Sequence, residues 1–226
     1  MSHSDAEISR VTRSKKEARA SYNKLSRWYD ILAGRYEKKY RHAGLQELDV
    51  KDGQVVLEIG FGTGDCILHL AQLVGSSGMV HRIDLSDAMV DITRVKVKEA
   101  GLFDRTMLII GDAVDLPFES NYFDAVFMSF TLELFDTPQI PIVLQECRRV
   151  LRSEGRICIV AMSKKGEDTL MMKLYEWLHS NFPSYVDCRP IFVEEALEDA
   201  GFQILKAKDL SMWGLAGEIV VVANKR

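Results

Sequence analysis

Three glycines stand at alternate positions, Gly60, Gly62 and Gly64, in the stretch VVLEIGFGTGD (55–65), directly after an apolar run. Glycines at this spacing let the backbone approach a ligand closely, because no Cβ stands in the way. Two carboxylates flank the turn, Glu58 two residues ahead of it and Asp65 directly behind it. The dinucleotide fingerprint G-x-G-x-x-G/A needs a small residue at its sixth position, where a pyrophosphate sits over the start of a helix. That position is Asp65 here, and its charge opposes phosphate. A ligand without phosphates, or one carrying positive charge, fits the turn better than NAD or FAD.

Two further acids sharpen the reading. Asp84 lies 24 residues after Gly60, at the end of MVHRID, where a ribose-binding acid belongs in a nucleotide fold. Its two oxygens can accept hydrogen bonds from a vicinal diol. Asp112, in IIGDAVDLPF, stands at the end of the next apolar run and could take up an exocyclic amine of a base. Acids at strand ends also cap the helices that follow. Four features on one sheet edge, the glycine turn with Glu58, Asp84 and Asp112, point to a ligand.

The elements that position these residues follow from periodicity. VVLEIG (55–60), MVHRID (79–84), TMLIIGD (106–112), FDAVFMSF (123–130) and GRICIVAM (155–162) read as buried strands. Between them DCILHLAQLV (65–74), DAMVDITRVKVKEA (87–100) and IPIVLQECRRVL (140–151) carry apolar residues at helical spacing. Ser86 is the expected N-cap of the second helix and Gly101 its stop. Strands alternating with helices imply a parallel sheet covered on both faces. The chain closes differently: after the helix VEEALEDAG (193–201) come FQILKAKDL (202–210) and GEIVVVANK (217–225). The link between those two is too short for a crossover helix, so they should be antiparallel. The expected fold is α/β, Rossmann-like, a seven-stranded mostly parallel sheet with an antiparallel C-terminal hairpin and helices on both faces.

Two regions stand outside this repeat. Residues 1–50 read as a helical N-terminal lid or substrate region, with four tyrosines and a tryptophan in SYNKLSRWYDILAGRYEKKY. Residues 164–190 read as a lid insertion within the body at 51–226, so the whole is effectively one domain. The stretch LMMKLYEWLHSNFPSYV either packs internally, or shapes an apolar pocket or touches a bilayer that carries a lipophilic substrate.

Bulk numbers exclude several classes. The chain has 226 residues, 47% apolar and 27% charged, which is ordinary globular composition. No apolar run reaches the roughly 18–20 residues of a membrane span, and the polar N-terminus does not read as a secretory signal; a cytoplasmic protein is expected. Residues 1–50 hold 11 Lys/Arg against seven Asp/Glu, and with an overall charge of −4 the remaining chain is left at −8. That acidic body argues against a nucleic-acid footprint. Cys66, Cys147, Cys158 and Cys188 are scattered without the spacing of a zinc site, so no metal is expected.

LEIGFGTG, the acid in IDLSDAM, GDAVDLPFESNYFDAVFMS and ECRRVLRSEGRICIV resemble, in order and spacing, the motifs of class I S-adenosylmethionine-dependent methyltransferases. The likeness covers about residues 50–162, and the terminal hairpin is similar to that family's sixth and seventh strands. Within the class the chain most resembles the ubiquinone/menaquinone-biosynthesis C-methyltransferases and their small-molecule relatives, on the upstream Tyr29-Asp30 pair and the LPF…FD block. The resemblance implies S-adenosyl-L-methionine as cofactor and S-adenosyl-L-homocysteine as product. It implies Gly60, Gly62 and Gly64 under the methionine moiety, with Glu58 and Phe61 in the same set. Asp84 would hold the ribose, Leu85 and Met89 the adenine ring, and Asp112 with the Ala113 backbone the adenine edge. Ser129 and Phe130 would lie beside the methionine and the acceptor, and Tyr29 would reach the cofactor carboxylate from the lid.

The acceptor expected is a small molecule, lipophilic or aromatic. A carbon or oxygen acceptor must lose a proton to a general base, and Tyr22, Asp30, Glu133 and His179 are placed for it without one standing out. An RNA or protein methyltransferase is the alternative, although SFTL stands where planar-amine enzymes carry an NPPY-type tetrapeptide. A non-catalytic binder of the cofactor is the third reading.

Overall fold

A computed structural model describes residues 10–11, 17, 20, 34–60, 62, 64–164, 189–212 and 215–225. Helix α1 (Gly34–Leu48) leads into strand β1 (Val55–Ile59), then α2 (Asp65–Leu73), β2 (Met79–Asp84), α3 (Asp87–Glu99) and β3 (Thr106–Ile110). Strand β4 (Phe123–Ser129), two 3₁₀ turns, α4 (Ile140–Val150) and β5 (Leu151–Met162) follow. Helix α5 (Val193–Asp199) precedes the long strands β6 (Phe202–Met212) and β7 (Leu215–Lys225). All seven strands form one sheet in the order β3-β2-β1-β4-β5-β7-β6. The first five run parallel, and β7 is antiparallel to both β5 and β6.

Strand alternation sorts the core into two layers. On β1, Leu57 and Ile59 face the layer built with α4 and α5, where Leu144, Cys147 and Leu197 are buried. Val56 faces the opposite layer, shared with α1 and α2 through Leu45, Leu48, Ile67 and Leu70. Both faces being covered explains why these strands read as unbroken apolar runs. Ser86 caps α3 as expected, its side chain accepting from the Met89 N–H, and Gly101 takes a φ of 67° just beyond the helix end.

Two expected boundaries move. Strand β5 begins at Leu151 rather than 155, because Leu151 already pairs with Phe123 before an irregularity resets the register at Arg156 opposite Ala125. The terminal strands run further than their apolar cores, with Met212 opposite Leu215. Hairpin ends pair backbone to backbone whatever their side chains, so periodicity did not mark them.

The strand order reverses between β1 and β4, since β2 and β3 continue to one side and β5 to the other. Open α/β sheets bind ligands in the crevice at the carboxyl ends of the two strands flanking such a reversal. The glycine turn leaves β1 at that point.

Strand β2 carries a second unusual feature at its other face. His81 is 4% exposed, and neither ring nitrogen has a hydrogen-bond partner among the described residues. Phe118, Tyr122 and Phe123 meet its ring edge-on at centroid distances of 5.5, 5.5 and 5.3 Å. Burial holds its pKa below the ordinary value. The unfolded chain therefore binds the proton more readily, and the contribution of His81 is complete above about pH 6.5 and is lost as pH falls below that value. His81→Phe is expected to remove this loss. Its melting temperature relative to the parent chain should rise steadily as pH is lowered from about 7 to about 5; a difference independent of pH would contradict the assignment.

Candidate functional site

A cleft opens at the reversal point, and each wall has a local cause. From β1 come Glu58 and Ile59, from the turn Gly60, Gly62 and Gly64, and from β4 and its exit Ser129 and Thr131. The start of α2 adds Asp65 and Cys66, and α1 crosses the opening with Glu37 and Arg41.

The turn is shaped for glycine at two of its three positions. Gly60 has a φ of 140°, and a Cβ there would lie 2.0 Å from Thr131 Oγ1. Gly64 has a φ of 95° as the N-cap of α2, and its Cβ would press on Thr93 at 3.0 Å. Among the described residues a Cβ at Gly62 would meet nothing closer than Arg82 Nη2 at 3.6 Å. Between the lining residues Ser129 and Thr131, Phe130 does not itself line the cleft; it holds a left-handed φ of 52° while buried, with its N–H donating to Val160 O at 2.8 Å. A bulky residue in that region costs of order 1–2 kcal/mol, and the strain turns the chain sharply at the end of β4.

Glu58 is the central charge. Among the described residues its buried Oε2 has no hydrogen-bond partner, and neither has the buried Ser129 Oγ on the facing strand. Burial raises the Glu58 pKa; Arg82 and Arg41 oppose that shift, and Asp65 adds to it. Arg41 Nη1 donates to Glu37 Oε2 at 3.1 Å, one helical turn away, with both side chains largely covered. The cleft thus combines acids, one guanidinium and orphaned acceptor atoms along a bare backbone. Asp65 sits at the rim, half-exposed, and pairs with Lys96 Nζ at 3.1 Å.

The other expected residues lie deeper or to one side. Asp84 is buried at the end of β2, where Oδ1 accepts from the Ser86 N–H at 2.9 Å and Oδ2 from Arg82 at 3.3 Å. Burial pushes its pKa up to about 7, against the pull of Arg82 and Ser86. Leu85 follows half-buried, and Met89 is fully buried in the first turn of α3. Asp112, beyond β3, accepts the Val114 N–H at 3.2 Å, and Ala113 beside it is buried. These five residues do not line the cleft that Glu58 and the glycines form. Tyr29 and Phe61 fall outside the described residues, as do the base candidates Tyr22, Asp30 and His179.

Glu133, the remaining base candidate, is fully buried, and its Oε1 accepts from Met162 N at 3.3 Å. It belongs to a knot below the exit of β4. Arg189, also fully buried, donates to Glu133 O, Thr137 Oγ1 and Phe135 O. Asp136 in the same stretch receives Arg10 Nε at 2.7 Å and the Val11 N–H at 3.1 Å, so residues 10–11 are fastened there. Sequence reasoning missed Arg41, Glu37, Thr131 and Arg82. The i, i+4 spacing of Glu37 and Arg41, flanking the buried Tyr40, was the available signal for the first two.

Residues 56–155 match the family model described as a methyltransferase domain. The chain carries a methyltransferase domain of the S-adenosylmethionine-dependent kind. The ubiquinone/menaquinone biosynthesis C-methyltransferase UbiE of Paraburkholderia phymatum is 28% identical over 200 residues, covering 80% of this chain and 81% of that one. The demethylmenaquinone methyltransferase of Bacillus velezensis is 33% identical over 147 residues, covering 63% of this chain and 62% of that one. The crystal structure of the [4+2]-cyclase SpnF superposes with a TM-score of 0.76 at 18% identity, covering 94% and 97%, which bears on the fold alone. The matched family segment spans the glycine turn, Asp84, Asp112 and the exit of β4. Among the described residues no helix is long and apolar enough to cross a membrane.

Proposed function

We propose that this methyltransferase acts on a small, lipophilic or aromatic acceptor of the quinone-precursor kind, with its donor seated in the cleft at the end of β1. The observation that carries the donor seat is Glu58, a buried carboxylate with an orphaned oxygen, set beside Arg41 along a glycine backbone. S-adenosylmethionine supplies a methyl group on a sulfonium that is already activated toward a nucleophile. Its amino-acid end carries an ammonium and a carboxylate, which suits the acids and the guanidinium of the cleft.

The residues then divide the work. Gly60, Gly62 and Gly64 let the backbone come close to the methionine moiety. Glu58 offsets positive charge, and Arg41 pairs with the donor carboxylate. Each Asp84 oxygen accepts one hydrogen bond within the protein, which leaves lone pairs for the ribose hydroxyls. Asp112 and the Ala113 backbone take the adenine edge, while Leu85 and Met89 pack by the ring. Ser129 and Phe130 border the acceptor side. Orienting donor and acceptor in one cleft can supply on the order of 7–11 kcal/mol of the barrier. Glu133, sealed beneath the exit of β4, holds Met162 and takes no proton from the acceptor. Residues 1–50 and 164–190 act as lid segments; Arg10 on Asp136 and Arg189 on Glu133 and Phe135 support this, since one described residue from each range meets the exit of β4.

The acceptor class is supported by the quinone-pathway names of the relatives. The test has two stages. S-adenosylmethionine at about a hundred times its Kd should stabilise the chain by about 2.7 kcal/mol, a rise of several degrees in Tm, while NADH should give none. No shift with S-adenosylmethionine would refute the donor seat. Turnover of demethylated quinols, set against phenols, amines and tRNA, then decides the acceptor; activity confined to tRNA would overturn the small-molecule reading.

A further inference from the structure

We infer that Arg82 is a positioning residue of the donor site: its guanidinium underpins the glycine turn through the Gly60 and Gly62 carbonyls and fixes the Asp84 carboxylate for the nucleoside. This inference rests on the reading of the cleft as a methyl-donor seat.

Arg82 lies in the middle of β2, directly opposite Glu58 in the parallel register, and is 1% exposed. Nη1 donates to Thr93 Oγ1 on α3 at 2.6 Å. Nη2 donates to Gly60 O and to Asp84 Oδ2, each at 3.3 Å, and also to Gly62 O. One cation therefore joins the turn, the helix after β2 and the acid at the end of β2. The core on this face of the sheet asks for nothing of the kind, since Val56, Val80 and Val97 in the same layer are apolar. Burying a guanidinium is costly unless it is paired and well hydrogen-bonded. Here its partners are Asp84, Thr93 and the carbonyls of the two glycines that begin the turn.

The charges around it make a specific prediction. Asp84 is faced by Arg82 on its own strand, by the Ser86 N–H, and by Glu58 on β1. Glu58 in turn is faced by Arg82, by Arg41 on α1 and by Asp65 on α2. With the guanidinium in place, burial already brings Asp84 to about 7. Removing that cation raises it further, so near neutral pH the carboxyl takes up a proton and loses acceptor capacity toward a diol.

Calorimetric titration of the full chain with S-adenosylmethionine from about pH 6 to about pH 9 tests this for the parent, Arg82→Met and Arg82→Lys. Arg82→Met should weaken binding at least about thirtyfold near neutral pH, with the loss shrinking toward the alkaline end as Asp84 regains its charge. Arg82→Lys should keep the parental pH profile with a constant loss of several-fold, because one ammonium can stand in for Nη2 beside the carbonyls and Asp84 but cannot also make the Nη1 bond to Thr93 Oγ1. A role confined to structure would weaken both variants equally at every pH. That result, or binding by Arg82→Met within about threefold of the parent throughout, would overturn the inference. Should Arg82→Met fail to fold by circular dichroism, Arg82→Lys decides alone: parental affinity, or a displaced pH profile, counts against it. Absence of binding by the parent chain would instead overturn the donor seat itself, and this inference with it.

Discussion

Gly60→Ala is expected to weaken S-adenosylmethionine binding by about a hundredfold while leaving the chain folded, because two penalties of about 1–3 kcal/mol each act on the same turn. The first is conformational. A φ of 140° is open to glycine and strained for any residue with a Cβ. The second is steric, since the added methyl would fall 2.0 Å from Thr131 Oγ1 and 3.0 Å from Thr131 Cβ. Thr131 cannot easily yield: it is 1% exposed, and its hydroxyl donates to Ser129 O at 3.0 Å. Either the turn lifts or the exit of β4 shifts, and both form walls of the cleft. Gly62→Ala provides the control, as among the described residues its Cβ would meet only Arg82 Nη2 at an ordinary 3.6 Å. Titration of both variants should separate them by more than tenfold, taking a single added strain of at least 1.4 kcal/mol as the measure. Equal affinities would mean that the geometry around Gly60 is not what seats the donor.

The contrast between these two glycines also marks where sequence reading stops. Gly60, Gly62 and Gly64 form one pattern in the chain, and alternation alone gives them equal weight. Their roles diverge only once β4 returns beside β1 and brings Thr131 against the first of them. Strands β1 to β4 were legible because apolar runs bounded by turn residues are local signals, and the antiparallel hairpin followed from the shortness of its link. Arg41 was not legible in the same way. It sits in EKKYRHAG among several cations, and only the line taken by α1 across the sheet decides which of them enters the cleft. Arg82 hid for the opposite reason. A cation within MVHRID reads as a strand residue with a wet face, but both faces of β2 are covered. Asp84 was legible as a position, whereas its burial and its ion pair with Arg82, two residues earlier on the same strand, follow from the covering of both faces of β2.

Glu58, Asp84, Arg82 and Arg41 share a physical logic. Glu58 and Asp84 are acids that burial alone would drive toward the neutral form. Arg82 lies between them, and Arg41 faces the outer one from α1. The site is therefore a small electrostatic balance built from separate elements, and its charge depends on how closely those elements pack. A change that moves α1 should alter binding without touching any group that meets the donor.

Gly44→Ala makes that change. Gly44 lies three residues beyond Arg41 in α1, and the helix approaches β4 and β5 so closely there that a Cβ would stand 2.4 Å from Val160 Cγ2 and 3.1 Å from Phe127 Cε2. The Cys158 thiol donates to Gly44 O at 3.4 Å, which confirms how near the backbone runs to the sheet. Forcing a methyl into that contact should cost about 1–3 kcal/mol of stability, a fall in Tm of roughly 2–4 °C for each kcal/mol in a chain of this size. It should also tilt or lift α1 and draw Arg41 away from the cleft, so that donor affinity falls by about tenfold even on fully folded protein. Val160→Ala removes the opposing methyl groups. On its own it should cost stability through the cavity it leaves, yet in combination with Gly44→Ala it should return both Tm and donor affinity toward the parent. The double-mutant cycle therefore carries the argument: strong positive coupling in both readouts means that the packing of α1 sets the position of Arg41. Parental affinity in a destabilised Gly44→Ala chain would show instead that the donor seat does not depend on where α1 rests.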